Sequence, residues 1–280
     1  MSSVDQLRSP ALVVAEPARP RARFDRASAR RRTWMWLTVL VLIALVCWLD
    51  GHYVAARFAY GQWVSNAIMV VAFIWLYRSA PTRLRALMKY GVFIATAGEV
   101  LFSLVFGMYE YRQVSIPLYV PPGHSVMYAA VYYFVRERWV LKQRRFVAPL
   151  MLLVSVAYAA YWLHAHNDVY GALCTFLFVV LIWRDAESRL FFLSMFLFVG
   201  YLELVGTAVG AWFWWPTAFD TFAWLPSGNP PSGISLFYMG FDGLCLLALL
   251  RRRPELRARL RRLRSVRERQ SAQTTQLARA

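Results

Sequence analysis

Residues 34–50 read WMWLTVLVLIALVCWLD, an apolar run that ends in a single acidic residue. A helix of about this length spans a hydrocarbon core roughly 30 Å thick. The rest of the chain has the same character, since 59% of its 280 residues are hydrophobic and its mean hydropathy is +0.40. The sequence therefore predicts an all-α polytopic membrane protein.

Seven further apolar runs follow the first, which gives eight predicted transmembrane helices in all. We expect one transmembrane domain over residues 34–250, preceded by a basic, disordered cytoplasmic head over residues 1–33. The predicted spans lie at about residues 34–50, 62–79, 86–107, 122–135, 146–164, 168–183, 190–213 and 233–250.

The basic residues orient these spans. Thirty of the 32 Lys and Arg residues fall in the head, the tail and the second, fourth and sixth connections, whereas all four His residues fall on the opposite side. Because Lys and Arg mark cytoplasmic loops, we expect both termini in the cytoplasm of an inner-membrane protein. The net charge of +17 then reflects topology, and we expect no nucleic-acid partner.

The tail, residues 251–280, repeats Leu256, Leu260, Leu263 and Val266 at helical spacing among arginines. This spacing is typical of a basic amphipathic helix that lies on the anionic inner leaflet, so membrane lipids are one predicted partner. A docking site for a partner protein is the alternative interpretation.

An internal pattern divides the domain into two four-helix halves, at about residues 34–140 and 146–250. Two stretches share the order Glu, hydroxyl residue, Gly, aromatic residues, Pro-x-Gly-His/Asn, and their glutamates are 104 positions apart. An even number of helices in each half predicts two parallel repeats. The first stretch comprises Glu99, Ser103, Gly107, Tyr109, Tyr111 and residues 120–124; the second comprises Glu203, Thr207, Gly210, Trp212, Trp214, Trp215 and residues 225–229.

Three acidic residues within predicted spans are the candidate catalytic groups: Glu99, Glu203 and Asp242. A carboxylate at membrane depth is costly and usually faces the bundle interior. Helical spacing predicts that Ser103 and Thr207 share a face with their glutamates and line a cavity with them. The alternative is close helix packing, in which a protonated Glu bonds across small residues.

Polar and aromatic residues of the predicted outer connections are the candidate substrate-binding groups. Histidines near the same side could hold a metal such as zinc, although their spacing matches no ligand motif, and the sequence assigns no cofactor. The substrate-binding candidates are Tyr109, Tyr111, Arg112, His124, Trp212, Trp215 and Asn229, and the metal candidates are His52, His164 and His166.

Three functions fit this pattern. The first is an intramembrane enzyme that acts on a small hydrophobic substrate, a lipid or isoprenoid, by acid/base chemistry from the outer, periplasmic side. The run Glu203-x-x-Gly206-Thr207-x-x-Gly210 resembles motifs in small membrane enzymes of isoprenoid metabolism. A proton-coupled transporter and a non-catalytic assembly factor are the alternatives. The sequence has no phosphate-binding loop or zinc-protease motif.

Overall fold

A computed structural model describes residues 26–113, 115–183, 188–252, 254–255 and 258. Most of these residues are helical, and a π-helical segment, Val100–Val105, continues the fourth helix. The α-helices are α1 (Arg26–Asp50), α2 (His52–Ala55), α3 (Gly61–Ser79), α4 (Thr82–Glu99), α5 (Val120–Phe134), α6 (Arg138–Lys142), α7 (Arg144–His166), α8 (Val169–Trp183), α9 (Arg189–Ala208) and α10 (Ser235–Arg252).

Several helices have the length and composition of membrane spans. Within the described ranges, four stretches qualify on both criteria: Ala29–Asp50, Thr82–Val105, Arg144–His166 and Arg189–Ala208. Among the shorter helices, α8 is also apolar. The chain is thus a mostly helical protein with several candidate spans, while the count of eight crossings and the repeat of four-helix halves stay predictions.

Helix α5 lies at the centre of the bundle. It packs against α1, α3, α4 and α9, and every residue from Ser125 to Phe134 is buried. In contrast, α3, α7 and α8 expose large apolar side chains such as Val71, Leu153 and Phe176. Exposed apolar surface of this kind marks a face that meets lipid or another apolar partner.

Short strands connect the helices at one end of the bundle. Strand β1 (Tyr109–Tyr111) follows α4, and β2 (Trp212–Trp214) follows α9. These two strands pair with each other in antiparallel orientation, although about a hundred residues separate them. A second pair joins β3 (Thr217–Ala218) to β4 (Phe222–Pro226). The ladder between β1 and β2 therefore links the first half of the chain to the second.

The predicted ends of two spans are wrong because glycines terminate the helices early. The seventh span was expected to reach residue 213, but α9 ends at Ala208 and Gly210 adopts a φ of +69°. In the third span, Gly107 has a φ of +57° after the π-helical segment. Glycine adopts positive φ without a steric penalty, so at both places the chain turns out of the helix and enters a strand.

The predicted head and tail are described only in part. Helix α1 begins at Arg26, so residues 26–33 are helical instead of disordered; an apolar helix that follows can propagate backwards through arginine, a good helix former. Residues 1–25 lie outside the described residues. Helix α10 is described as far as Arg252, and the leucines predicted to form the amphipathic face of the tail lie outside the described residues as well.

Candidate functional site

A cavity lies where α1, α4, α5, α9 and α10 approach the β1–β2 ladder. It contains about 790 Å³ of space between atoms, its open mouth included. Apolar and aromatic side chains form most of its wall, together with Glu99, Glu203 and His124. We call this space the main cavity. An apolar pocket with a few convergent polar groups is the usual form of a small-molecule site.

Glu99 ends α4 and is 4% exposed. Its Oε2 atom accepts hydrogen bonds from the Tyr109 hydroxyl at 2.6 Å and the Tyr111 hydroxyl at 2.7 Å, and its Oε1 atom lies 2.9 Å from Nε2 of His124. Burial and the neighbouring Glu99 raise the pKa of Tyr109 and of Tyr111 well above the usual value. Both hydroxyls therefore stay protonated and act as donors.

Glu203 lies in α9, is 5% exposed and has a different set of partners. The indole N–H of Trp212 donates to its Oε2 atom at 2.9 Å, and that of Trp214 donates to the same atom at 3.0 Å. Within the described part of the chain, Oε1 of Glu203 receives no hydrogen bond. Because an indole N–H only donates, neither tryptophan can take up a proton from this carboxyl group.

The ladder explains why these four aromatic residues reach the two glutamates. Tyr109 pairs with Trp214, and Tyr111 pairs with Trp212. Side chains two positions apart lie on the same face of a strand, so all four point to the same side of the ladder. Sequence reasoning chose Trp215 in place of Trp214; the alternation of strand residues would have selected Trp214.

Trp215 lies outside the main cavity. It is half-buried, and its ring packs edge-on against Phe213, with 5.6 Å between the ring centroids. Phe213 is the middle residue of β2 and points away from Trp212 and Trp214.

The hydroxyl residues predicted to line the cavity are turned to the backbone instead. Thr207 donates to the carbonyl oxygen of Glu203 at 2.7 Å, and Ser103 donates to that of Tyr109 at 3.3 Å. The stripe of hydroxyl residues predicted beside Glu99 does not form because Val100–Val105 is π-helical, which changes the residue spacing on each face.

Gly206 allows Trp212 to lie against α9. A Cβ atom at this position would collide with the Trp212 indole, so a glycine is needed for the close contact.

Proline residues place His124. Helix α5 begins at Val120, two residues before the predicted span of residues 122–135, and it includes Pro121, Pro122 and His124. Proline is accepted in the first turn of a helix, where its missing N–H has no intrahelical partner. His124 consequently projects from a helix, and its ring stacks on Tyr238 with 4.6 Å between centroids.

Two of the predicted substrate-binding residues hold the ladder in place. Arg112 forms an ion pair with Asp50 at 2.7 Å, and Asn229 accepts the backbone N–H of Trp214 at 3.0 Å through Oδ1. Both residues line a separate groove on the other side of the ladder, which also includes His52 and Glu110. We call this the ladder groove. Tyr111 and Trp212 line both it and the main cavity.

Asp242 lies outside the main cavity. It lines a smaller neighbouring cavity that shares His124 and Tyr238 with the main one. Its Oδ2 atom is buried and has no hydrogen-bond partner among the described residues. The structure therefore brings together Glu99 and Glu203 but separates the third candidate acid from them.

The predicted metal ligands do not converge. Among the described residues, no group of three or more His, Cys, Asp or Glu side chains could hold a metal ion. His52 lies against Gly210 in the ladder groove, whereas His166 stacks on Trp162 at the end of α7, with His164 exposed nearby.

Two buried aspartates are structural anchors to which sequence reasoning gave no such role. Asp50 accepts hydrogen bonds from Arg112 and from the Tyr119 hydroxyl. Asp168 accepts three backbone N–H bonds, from Gly171, Gly228 and Ser232. Each aspartate is fully buried and ties the end of a helix to a distant segment. Residue type alone could not reveal these partners, because most of them lie far along the chain.

Comparisons with known proteins supply no relative. No family model matches the sequence, and neither the curated proteins nor the solved structures give a significant match.

Proposed function

We propose that this protein is an intramembrane enzyme that acts on a lipid or isoprenoid substrate by acid/base chemistry. The observation that carries the proposal is that Glu99 and Glu203, both almost fully buried, line one apolar cavity. Two carboxyl groups in different surroundings can divide the roles of acid and base between them. The reaction would be of the isomerase, lyase or hydrolase type.

The hydrogen bonds support a division of labour. Glu203 keeps Oε1 free of donors among the described residues, so this oxygen is the one that can exchange a proton with a substrate. Both oxygens of Glu99 already have hydrogen-bond partners, in Tyr109, Tyr111 and His124. Of these three, His124 is the group that readily both donates and accepts protons, so Glu99 and His124 together would act as the partner of Glu203. Apolar walls would hold the hydrocarbon part of the substrate.

We also propose the membrane arrangement that the charge pattern favours. The eight long helices α1, α3, α4, α5, α7, α8, α9 and α10 would cross an inner membrane as two parallel four-helix repeats. Both termini would face the cytoplasm, and the site would open to the outer side. The basic tail would bind the anionic inner leaflet. The variants Glu110→Cys and Arg144→Cys, treated in intact cells with a membrane-impermeant thiol reagent, test this arrangement. Labelling of Glu110→Cys alone is expected, and labelling of Arg144→Cys would contradict it.

The function is tested by comparing lipid profiles. Cells that lack the protein would be compared by mass spectrometry with cells that carry the wild type, Glu99→Gln, Glu203→Gln or Glu110→Gln at matched membrane levels. Glu110 is a matched control, because it lies in the same strand as Tyr109 but lines the ladder groove instead. A lipid that accumulates in the null strain and in the two cavity variants, but not in Glu110→Gln, is expected. An unchanged profile in every strain would remove the enzyme proposal.

A further inference from the structure

The main cavity is unbalanced in charge. Its wall contains the carboxyl groups of Glu99 and Glu203, but none of the described residues that line it is Lys or Arg. Arg112 follows Tyr111 in sequence, yet it is held by Asp50 and lines the ladder groove. His124 can offset the charge of Glu99, from which it lies 2.9 Å away. In the part of the chain that the structure describes, the donors to Glu203 are two neutral indole N–H groups.

The free oxygen of Glu203 is itself informative. Indole N–H groups donate to Oε2, whereas Oε1 receives no hydrogen bond from the described residues and can accept one from a ligand. Here the side chain is 5% exposed and borders the cavity. A donor or a positive centre from a ligand in the cavity would complete its coordination.

Aromatic rings form much of the remaining wall. Tyr109, Tyr111, Trp212, Trp214 and Tyr238 all border the same space as the two carboxyl groups. The faces of such rings attract cations, most strongly where water is excluded. A cation inside this cavity would thus meet both carboxylate oxygen and aromatic faces, whereas an anion would meet neither a Lys nor an Arg side chain among the described lining residues.

We propose that the ligand of the main cavity carries a positive charge on an apolar skeleton. This inference deepens the proposed function, on which its chemical interpretation rests. The charge has two possible sources, a stable ammonium group on a lipid or a carbocation formed during turnover. In the second case the protonated Glu203 transfers its proton to a carbon–carbon double bond. The π electrons form the new C–H bond, the neighbouring carbon becomes cationic, and Glu203 becomes a carboxylate. Loss of a proton from an adjacent carbon to that carboxylate then gives an isomerised alkene.

Binding to the purified full-length protein in lipid nanodiscs tests the shared chemistry. The probe is dodecyltrimethylammonium, compared with the neutral hydrocarbon of the same shape in which carbon replaces the nitrogen. A change in tryptophan fluorescence reports occupancy, because Trp212 and Trp214 line the cavity and their surroundings change when it fills. We expect the wild type and Glu110→Gln to bind the ammonium probe about tenfold more tightly than the neutral one. We expect Glu203→Gln to lose this preference. Equal binding of the two probes by the wild type, or an unchanged preference in Glu203→Gln, would overturn the inference.

The source of the charge is distinguished by two further measurements. In the first, the protein is incubated with lipid extract in D₂O. Entry of deuterium at a carbon position of an alkene lipid would identify the carbocation as the source of the charge. A co-purifying ammonium lipid, detected by mass spectrometry, assigns the stable cation. The binding assay needs no turnover, so its failure is separable from that of the enzyme proposal. If the wild type prefers the ammonium probe but the lipid profiles are unchanged, the cation site is supported and the enzyme proposal is contradicted. If the lipid profiles change but the two probes bind equally, the enzyme proposal is supported and the cation site is contradicted.

Discussion

Glu99 and Glu203 lie at corresponding places, each in a helix that runs into a glycine turn and then a strand, yet their surroundings differ. Tyrosine hydroxyls and His124 surround Glu99, and these groups contact both of its oxygens. Indole N–H groups contact only one oxygen of Glu203. The two glutamates therefore share a backbone arrangement, but both oxygens of Glu99 have partners, whereas Oε1 of Glu203 is available to a ligand. The difference comes from His124, which contacts Oε1 of Glu99; the strand residues contact Oε2 at both glutamates.

The largest expected effect is that of Glu203→Gln. The amide keeps the size of the side chain but cannot exchange a proton, so product formation should fall by about a thousandfold. The measurement is the rate of lipid conversion in membranes that contain equal amounts of protein. Wild-type activity in this variant would place the chemistry elsewhere.

Glu99→Gln should have a smaller effect on the same rate. Its carboxyl group acts together with His124, so we expect a loss of about a hundredfold. A larger loss in Glu99→Gln than in Glu203→Gln would reverse the assignment of roles. Glu110→Gln serves as the control for both, since its side chain lies on the opposite face of the ladder.

Gly206→Ala tests whether Trp212 must lie against α9 to reach Glu203. The added methyl group collides with the indole, so we expect a loss of about 1–3 kcal/mol in the free energy of unfolding. Gly200→Ala in the same helix is the matched control. A Cβ atom at Gly200 has no neighbour within 4 Å, so this variant should be as stable as the wild type or slightly more so. Equal thermal stability of the two variants in detergent would show that the close contact is not required.

The smallest effect concerns the titration of Tyr109. Both burial and the charge of Glu99 disfavour its anionic form and raise its pKa. Removing the charge in Glu99→Gln leaves burial as the main cause, with smaller contributions from Tyr238 and Glu203, so the pKa should fall toward, but stay above, the usual value of about 10. Tyrosinate absorbance, taken as the difference from the same protein carrying Tyr109→Phe, follows this titration. In the wild type the hydroxyl should remain protonated at higher pH than in Glu99→Gln, and coincident curves would contradict the pairing.

Much of the helical framework could be predicted from sequence, because long apolar runs have few alternatives. Helices occupy each of the predicted positions, and Glu99 and Glu203 stood out because acids are costly at membrane depth. A cavity beside these glutamates was also expected, although the hydroxyl groups predicted to line it bond to the backbone instead.

The remaining features depend on pairings that are distant in sequence. The ion pair of Asp50 with Arg112 spans 62 residues, and nothing near Asp50 indicates its burial. The pairing of β1 with β2 could not be predicted either, because each strand has three residues and so gives too short a pattern to recognise. The π-helical segment after Glu99 has no sequence signature that we can identify, and it removed the predicted stripe of hydroxyl groups.

The register of the β1–β2 ladder couples the surroundings of the two glutamates. Tyr109 pairs with Trp214, and Tyr111 pairs with Trp212, so each strand that carries donors to one glutamate is paired with the strand that carries donors to the other. A slip of one strand by a single residue would turn its donors to the opposite face of the ladder. The hydrogen bonds of both carboxyl groups therefore depend on the same backbone pairing.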